Sequence, residues 1–147
     1  MINALAKTAA ALSIATAGTA ALGGAGDQKI DLTYVWTAHP GQEERLINTY
    51  AAVGGVLEAN EPGLLVYEIA VSESGHHLVI LEVFEDADAM AFRLSQTAAQ
   101  FFPELVTFAT PGPFIFSGDV PAHLKEAAYG MEMGAIFTGD WSGFTRD

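Results

Sequence analysis

Two apolar runs, Leu64–Val71 and His77–Phe84, stand five residues apart, and the link between them, Ser72-Glu73-Ser74-Gly75-His76, is polar and contains a glycine. Runs of that length joined in that way predict a β-hairpin. Leu64-Leu65-Val66-Tyr67 and Leu78-Val79-Ile80-Leu81 are apolar at consecutive positions. Both faces of the hairpin therefore need cover, which limits the packings open to the rest of the chain.

Upstream, Ile30, Leu32, Tyr34 and Trp36 alternate with smaller or polar residues from Lys29 to Ala38, the pattern of a strand with two usable faces. His39-Pro40-Gly41 breaks it. Gln42-Glu43-Glu44 then supplies first-turn acids for a helix whose apolar positions Leu46, Ile47, Tyr50, Val53 and Leu57 recur at helical spacing before Asn60-Glu61-Pro62-Gly63 ends it. Gly54-Gly55 inside that helix reads as a site of close packing. Downstream of the hairpin, Asp86-Ala87-Asp88 opens a second helix. Its apolar positions Ala89, Met90, Phe92, Leu94, Ala98, Phe101 and Phe102 wrap a broad face before Pro103 disturbs its later part, with a shorter helical turn expected to continue to Phe108. Thr110-Pro111-Gly112-Pro113 predicts a turn, and Phe114 to Gly118 a fourth strand.

The order β-α-β-β-α-β predicts an α+β, ferredoxin-like domain over residues 29–118: a four-stranded antiparallel sheet with both helices on one face. The other face of such a sheet would be apolar and wet, so a homodimer is expected. Residues 119–147 form a C-terminal helix/strand extension, with a short helix over Val120 to Ala128 and extended segments at Ala135 to Thr138 and Trp141 to Phe144. Its aromatics suit an arm laid over the partner subunit or over a pocket.

Charge narrows the partners. Six Lys and Arg against eighteen Asp and Glu give a formal net charge of -12 in 147 residues. That field repels phosphate backbones and anionic lipid surfaces, so nucleic acid is not an expected partner. Cysteine is absent, which excludes disulfides, thiolate nucleophiles and Cys-ligated metal centres. Residues 1–26 combine Lys7, an apolar stretch from Thr8 to Ala17 and small residues Gly18-Thr19-Ala20. This reads as a secretory signal peptide or a disordered leader, giving a periplasmic or secreted protein if cleaved and a cytoplasmic one otherwise. The stretch is too short and weak for stable membrane insertion.

Three blocks resemble the antibiotic biosynthesis monooxygenase family at matching positions in the element order: Pro40-Gly41-Gln42-Glu43, Glu61-Pro62-Gly63-Leu64-Leu65-Val66-Tyr67-Glu68, and Glu82-Val83-Phe84-Glu85-Asp86-Ala87-Asp88-Ala89-Met90. The resemblance implies a homodimeric α+β barrel with an apolar cavity between sheet and helices, suited to a small hydrophobic or aromatic ligand. It also implies a range of chemistries: cofactor-independent oxygenation of phenols and quinols, haem degradation, and isomerisation. Arg93 stands where the family often carries a histidine, and Phe84 where a tryptophan is frequent. Tyr34 replaces the asparagine expected of haem-degrading members, which speaks against that activity.

Glu82 shares one strand face with Leu78, Ile80 and Phe84. A carboxylate there is costly unless paired or functional. Lining the cavity, it would act as general base towards a phenolic or enolic hydroxyl; the plainer alternative has it bonded to Arg93, a helix terminus or the partner subunit. Arg93 reads either as a lid on an anionic substrate group or as a snorkelling surface cation. Tyr34 and Trp36, with Tyr67, Phe84 and Phe92, could stack on a planar ligand or simply fill the core. Glu68 repeats the logic of Glu82 nearer the dimer face. His39, His76 and His77 fall at one end of the sheet, where solvated loop histidines are commoner than a metal site, and no spacing among them is a metal motif. The expectation is a monooxygenase-like enzyme with no cofactor, acting on a small aromatic or quinol-type molecule. The alternatives are a non-catalytic dimeric binder of a hydrophobic small molecule and a structural or interaction module.

Overall fold

The computed structural model describes residues 28–147, and the leader read over residues 1–26 lies outside them. The chain runs β1 (Ile30–Ala38), α1 (Glu43–Asn60), β2 (Leu64–Val71), β3 (His77–Phe84), α2 (Ala87–Phe92), a π-turn (Arg93–Thr97), α3 (Ala98–Leu105), β4 (Ala109–Ser117), α4 (Ala122–Gly130) and β5 (Ala135–Phe137). The β-α-β-β-α-β unit and the hairpin boundaries are as expected. The sheet order is β2-β3-β1-β4-β5. β1 lies antiparallel to both β3 and β4, β2 antiparallel to β3, and β5 parallel to β4. The sheet is therefore mixed and five-stranded instead of purely antiparallel and four-stranded, and it stays open instead of closing into a barrel. The cause is α4, which serves as the crossover that a parallel β4–β5 pair needs.

Register puts the core on one face. Ile30, Leu32, Tyr34 and Trp36 of β1 face Phe84, Glu82, Ile80 and Leu78 of β3, and all eight are buried. Phe114 and Phe116 extend that face into β4. α1 covers it with Leu46, Tyr50, Val53 and Leu57, and the second helical stretch with Met90, Leu94 and Leu105. Asp86 caps the start of α2, its carboxylate accepting from the Ala89 N–H at 2.9 Å, an arrangement worth about 1 kcal/mol. On the opposite face Val79 is 37% exposed and Val35, Leu81 and Ile115 are half-buried.

One expectation needs correction. The segment Thr110-Pro111-Gly112-Pro113 is not a turn but lies inside β4. Phe114 faces Tyr34 and Pro111 faces Trp36, so two residues of β4 span what Val35 alone spans in β1, a bulge. The prolines are tolerated there because β5 pairs with β4 only from Phe114 onwards, leaving no partner that needs their N–H. Gly112, at φ 103°, is required: a Cβ would lie 2.8 Å from the Met133 carbonyl. The second helix carries Pro103 in its later part and, as expected, continues past it, to Leu105. The packing of Phe102 on Trp36, ring centroids 5.4 Å apart, and the burial of Leu105 hold the turn that carries the proline.

α4 and β5 occupy the predicted helix and first extended segment of the extension. Trp141 to Phe144 form no strand; the Trp141 indole N–H instead donates to Asp31 Oδ2 at 2.6 Å, tying the arm to β1 of its own chain. No helix among the described residues is long and apolar enough to cross a membrane.

Candidate active site beneath the second helix

Period two places Glu82 of β3 on the helix-covered face, and the π-turn brings Arg93, Leu94 and Thr97 down onto it. A widened turn of this kind alters the helical phase, and such turns recur at functional sites. Glu82 Oε2 accepts the Tyr34 hydroxyl at 2.6 Å and is ion-paired to Arg93 Nη2. Arg93 Nη1 reaches Glu61 Oε1 at 3.2 Å, and Nη2 lies 3.4 Å from the Tyr34 oxygen. Glu61 Oε2 takes the Thr97 hydroxyl. The ion-paired side chains are nearly solvent-free: Glu82 is 0% exposed, Glu61 4% and Arg93 8%.

Glu82 thus uses one oxygen for structure. Its other oxygen, Oε1, is buried and has no hydrogen-bond partner among the described residues, and neither has Trp36 Nε1. Both side chains line one small, mainly apolar cavity of about 50 Å³, together with Tyr34, Tyr50, Leu94 and Phe102. A buried polar atom left unpaired is uncommon enough to call for an explanation. Here both atoms belong to side chains in the wall of the same cavity.

Burial dominates the electrostatics of Glu82. Burial pushes its carboxyl above the usual carboxylate range; the Arg93 charge and the Tyr34 hydrogen bond draw it back without cancelling the effect. Burial lifts the Tyr34 hydroxyl well above its ordinary value, and the Glu82 charge adds to that. Burial alone would lower Arg93, but Glu82, Tyr34 and Glu61 outweigh it, so the guanidinium stays charged. Burial also raises Tyr50 and Tyr67.

Of the residues singled out from sequence, Glu82, Arg93, Tyr34 and Trp36 converge on the cavity. Arg93 is neither a surface cation nor a free lid, since both carboxylates and Tyr34 occupy its donors. Tyr67 faces Glu82 across the β2–β3 ladder, but its hydroxyl is spent on the Tyr50 carbonyl at 3.0 Å and it is not in the cavity wall. Phe84 is core, 0% exposed and also outside that wall. Phe92 is 46% exposed, because two residues from the buried Met90 is about 200° around a helix. Glu68 is exposed on the open face, opposite Leu81. His39, His76 and His77 are tied separately to Thr110, Glu43 and Thr37. No cluster of three or more His, Asp or Glu that could hold a metal occurs among the described residues.

Glu61 and Thr97 were not anticipated. Glu61, beside Pro62-Gly63, reads as an ordinary helix end, and Thr97 as a polar interruption; only the π-turn brings them together.

A sequence model of the family described as antibiotic biosynthesis monooxygenase matches residues 32–103. No curated protein matches the chain in sequence. Among solved structures, MupZ from Pseudomonas fluorescens is similar at 20% identity and TM-score 0.63, over 82% of this chain and 96% of that one. Rv0793 from Mycobacterium tuberculosis is similar at 16% identity and TM-score 0.55, over 63% and 96%. SnoaB from Streptomyces nogalater, a cofactor-independent oxygenase, is similar at 16% identity and TM-score 0.50, over 60% and 88%. At these identities the likeness is one of fold.

Proposed function

The chain belongs to the antibiotic biosynthesis monooxygenase family, and from that premise we propose that it is a cofactor-independent oxygenase of a small phenol or quinol, with Glu82 as the general base. The observation that carries this reading is the division of labour in Glu82: Oε2 is fixed by Tyr34 and Arg93, while Oε1 is unpaired in a residue lining the cavity. A substrate hydroxyl donates to Oε1 and gives up its proton as the ring becomes an electron-rich phenolate. The phenolate reduces dioxygen; one oxygen atom enters the ring and the other leaves as water. A phenol plus O₂ gives a quinone plus water, so the substrate supplies all the electrons. Glu82 returns its proton to the departing oxygen. The surrounding apolar wall keeps solvent from the anion. Arg93 and Tyr34 are positioning residues, and Trp36 Nε1 is a donor for a second polar atom of the substrate.

The protein acts in this reading as a homodimer, joined through the open face bearing Val35, Val79, Leu81 and Ile115. Support comes from the exposure of Val79 and from the dimeric habit of the family. Sedimentation showing a stable monomer at micromolar concentration would remove that part.

Oxygen uptake with a panel of phenols and quinols tests the chemistry. Wild type is expected to consume oxygen and Glu82→Gln to lose at least about a hundred-fold in rate, the usual worth of a general base. Equal rates in both proteins would overturn the role of Glu82.

A further inference from the structure

The inner cavity is too small for what the proposed chemistry requires. At about 50 Å³ it falls well below the roughly 150 Å³ that holds a benzene ring in a protein core. A second concavity lies directly outside it. This groove, of about 450 Å³, runs between the second helical stretch and α4 and is bordered by Ala91, Ser95, Ala99, Leu124 and Ala127. It falls within the range of small-molecule sites.

Three side chains, Leu94, Phe102 and Met131, line both spaces. They form the partition between cavity and groove. Met131 follows α4, and with Glu132, Met133 and Gly134 it makes a tight turn in which Glu132 is the one non-glycine among the described residues with positive φ, 54°. That turn delivers two methionines, Met131 and Met133, to the cavity wall. Methionine is unbranched and adaptable, so a wall built from it can yield without disturbing the backbone.

The groove is mainly apolar, with His123 and Ser95 as the polar side chains on its border. Ser95, a hydroxyl on its border, already donates to the Ala91 carbonyl at 2.8 Å. Small side chains at Ala91, Ala99 and Ala127 leave room for a chain-like apolar group.

We propose that the substrate is bipartite: a hydroxyl-bearing aromatic head passes Leu94, Phe102 and Met131 to reach Glu82, and an apolar tail remains in the groove between α3 and α4. The orientation rests on the reading of Glu82 as the reactive end. The C-terminal extension is then part of the substrate site, and Met131 is a specificity-determining residue because it sets the width of head that passes. Ala127 faces the tail.

Calorimetric titration of the full protein with 4-alkylphenols, from 4-methylphenol to 4-heptylphenol, tests this. Wild type is expected to bind about three- to four-fold more tightly for each added methylene, the gain of removing one CH₂ from water. Ala127→Trp fills the groove and abolishes the increment, so that long and short phenols bind alike. Glu126→Trp, on the same helix outside the groove, keeps it. Met131→Ala admits the wider head of 2-naphthol more tightly than wild type does. Affinity independent of chain length in wild type, or an increment that survives Ala127→Trp, overturns the proposal and sends the groove to another occupant, such as a protein segment. Binding without oxygen uptake would count against the oxygenase chemistry, whereas oxygen uptake without a chain-length increment would count against the groove.

Discussion

Tyr34 and Glu82 are not cross-strand partners: Tyr34 faces Ile80 and Glu82 faces Leu32, yet the Tyr34 hydroxyl reaches Glu82 Oε2 diagonally at 2.6 Å. Diagonal neighbours on one sheet face lie within reach of long side chains. The contact orients the carboxylate from its own sheet while Arg93 holds it from the helix above. Removing the phenol should separate positioning from catalysis. Tyr34→Phe is expected to cost about 1–3 kcal/mol, as for a buried hydrogen bond to a charged group. Because that bond lowers the Glu82 pKa, the variant's acidic limb in a kcat/KM profile should move to higher pH. A limb that stays in place or moves down would contradict the contact's electrostatic role.

Glu82 also sets how stability depends on pH. Its folded pKa is raised above the ordinary value of 4.5, chiefly by burial, so the folded state keeps a proton that the unfolded chain has lost. Its contribution is complete below the unfolded value and declines as pH rises through the raised folded value. The stability of wild type relative to Glu82→Gln should therefore fall with pH over that window. Urea denaturation at a series of pH values measures it, and a difference that is flat or rises with pH would refute the assignment.

Arg93 separates two buried carboxylates. Arg93→Ala leaves Glu82 and Glu61 without their cation and is expected to cost roughly 3–5 kcal/mol at neutral pH. The loss should shrink in acid, where the Glu82 carboxylate takes up a proton. A loss below about 1 kcal/mol at neutral pH would mean that water solvates the cluster freely.

Adjacent glycines in α1 should respond differently. A Cβ on Gly55 meets nothing within 4 Å, whereas one on Gly54 would lie 2.9 Å from the Tyr67 ring, which the Tyr50 carbonyl anchors. Gly55→Ala should stabilise by about 0.8–1 kcal/mol, the helix-propensity difference. Gly54→Ala should fall short of that because Tyr67 must move, as thermal melts of the two variants would show.

The β-α-β-β-α-β unit was legible because its signals are local: the alternation in β1, the helical spacing of Leu46, Tyr50, Val53 and Leu57, and the polar link of the hairpin. Glu82 was legible as a carboxylate on an apolar face. Pro111 and Pro113 misled because a bulge next to an unpaired edge accommodates residues that otherwise signal a turn. Glu61 and Thr97 stayed hidden for a different reason. Their partnership depends on a π-turn that changes helical phase, and nothing in Arg93-Leu94-Ser95-Gln96-Thr97 distinguishes it from an ordinary α-helical run.

β5 has a bearing on solubility at high concentration. Unprotected sheet edges invite strand addition between molecules. At one side the outermost strand is only three residues long, too short to template a growing stack. At the other, β2 pairs irregularly with β3 between Leu64 and Val66 and places Glu68 mid-strand, so a bulge and a charge interrupt the free edge. The sheet is thereby guarded against polymerising sideways.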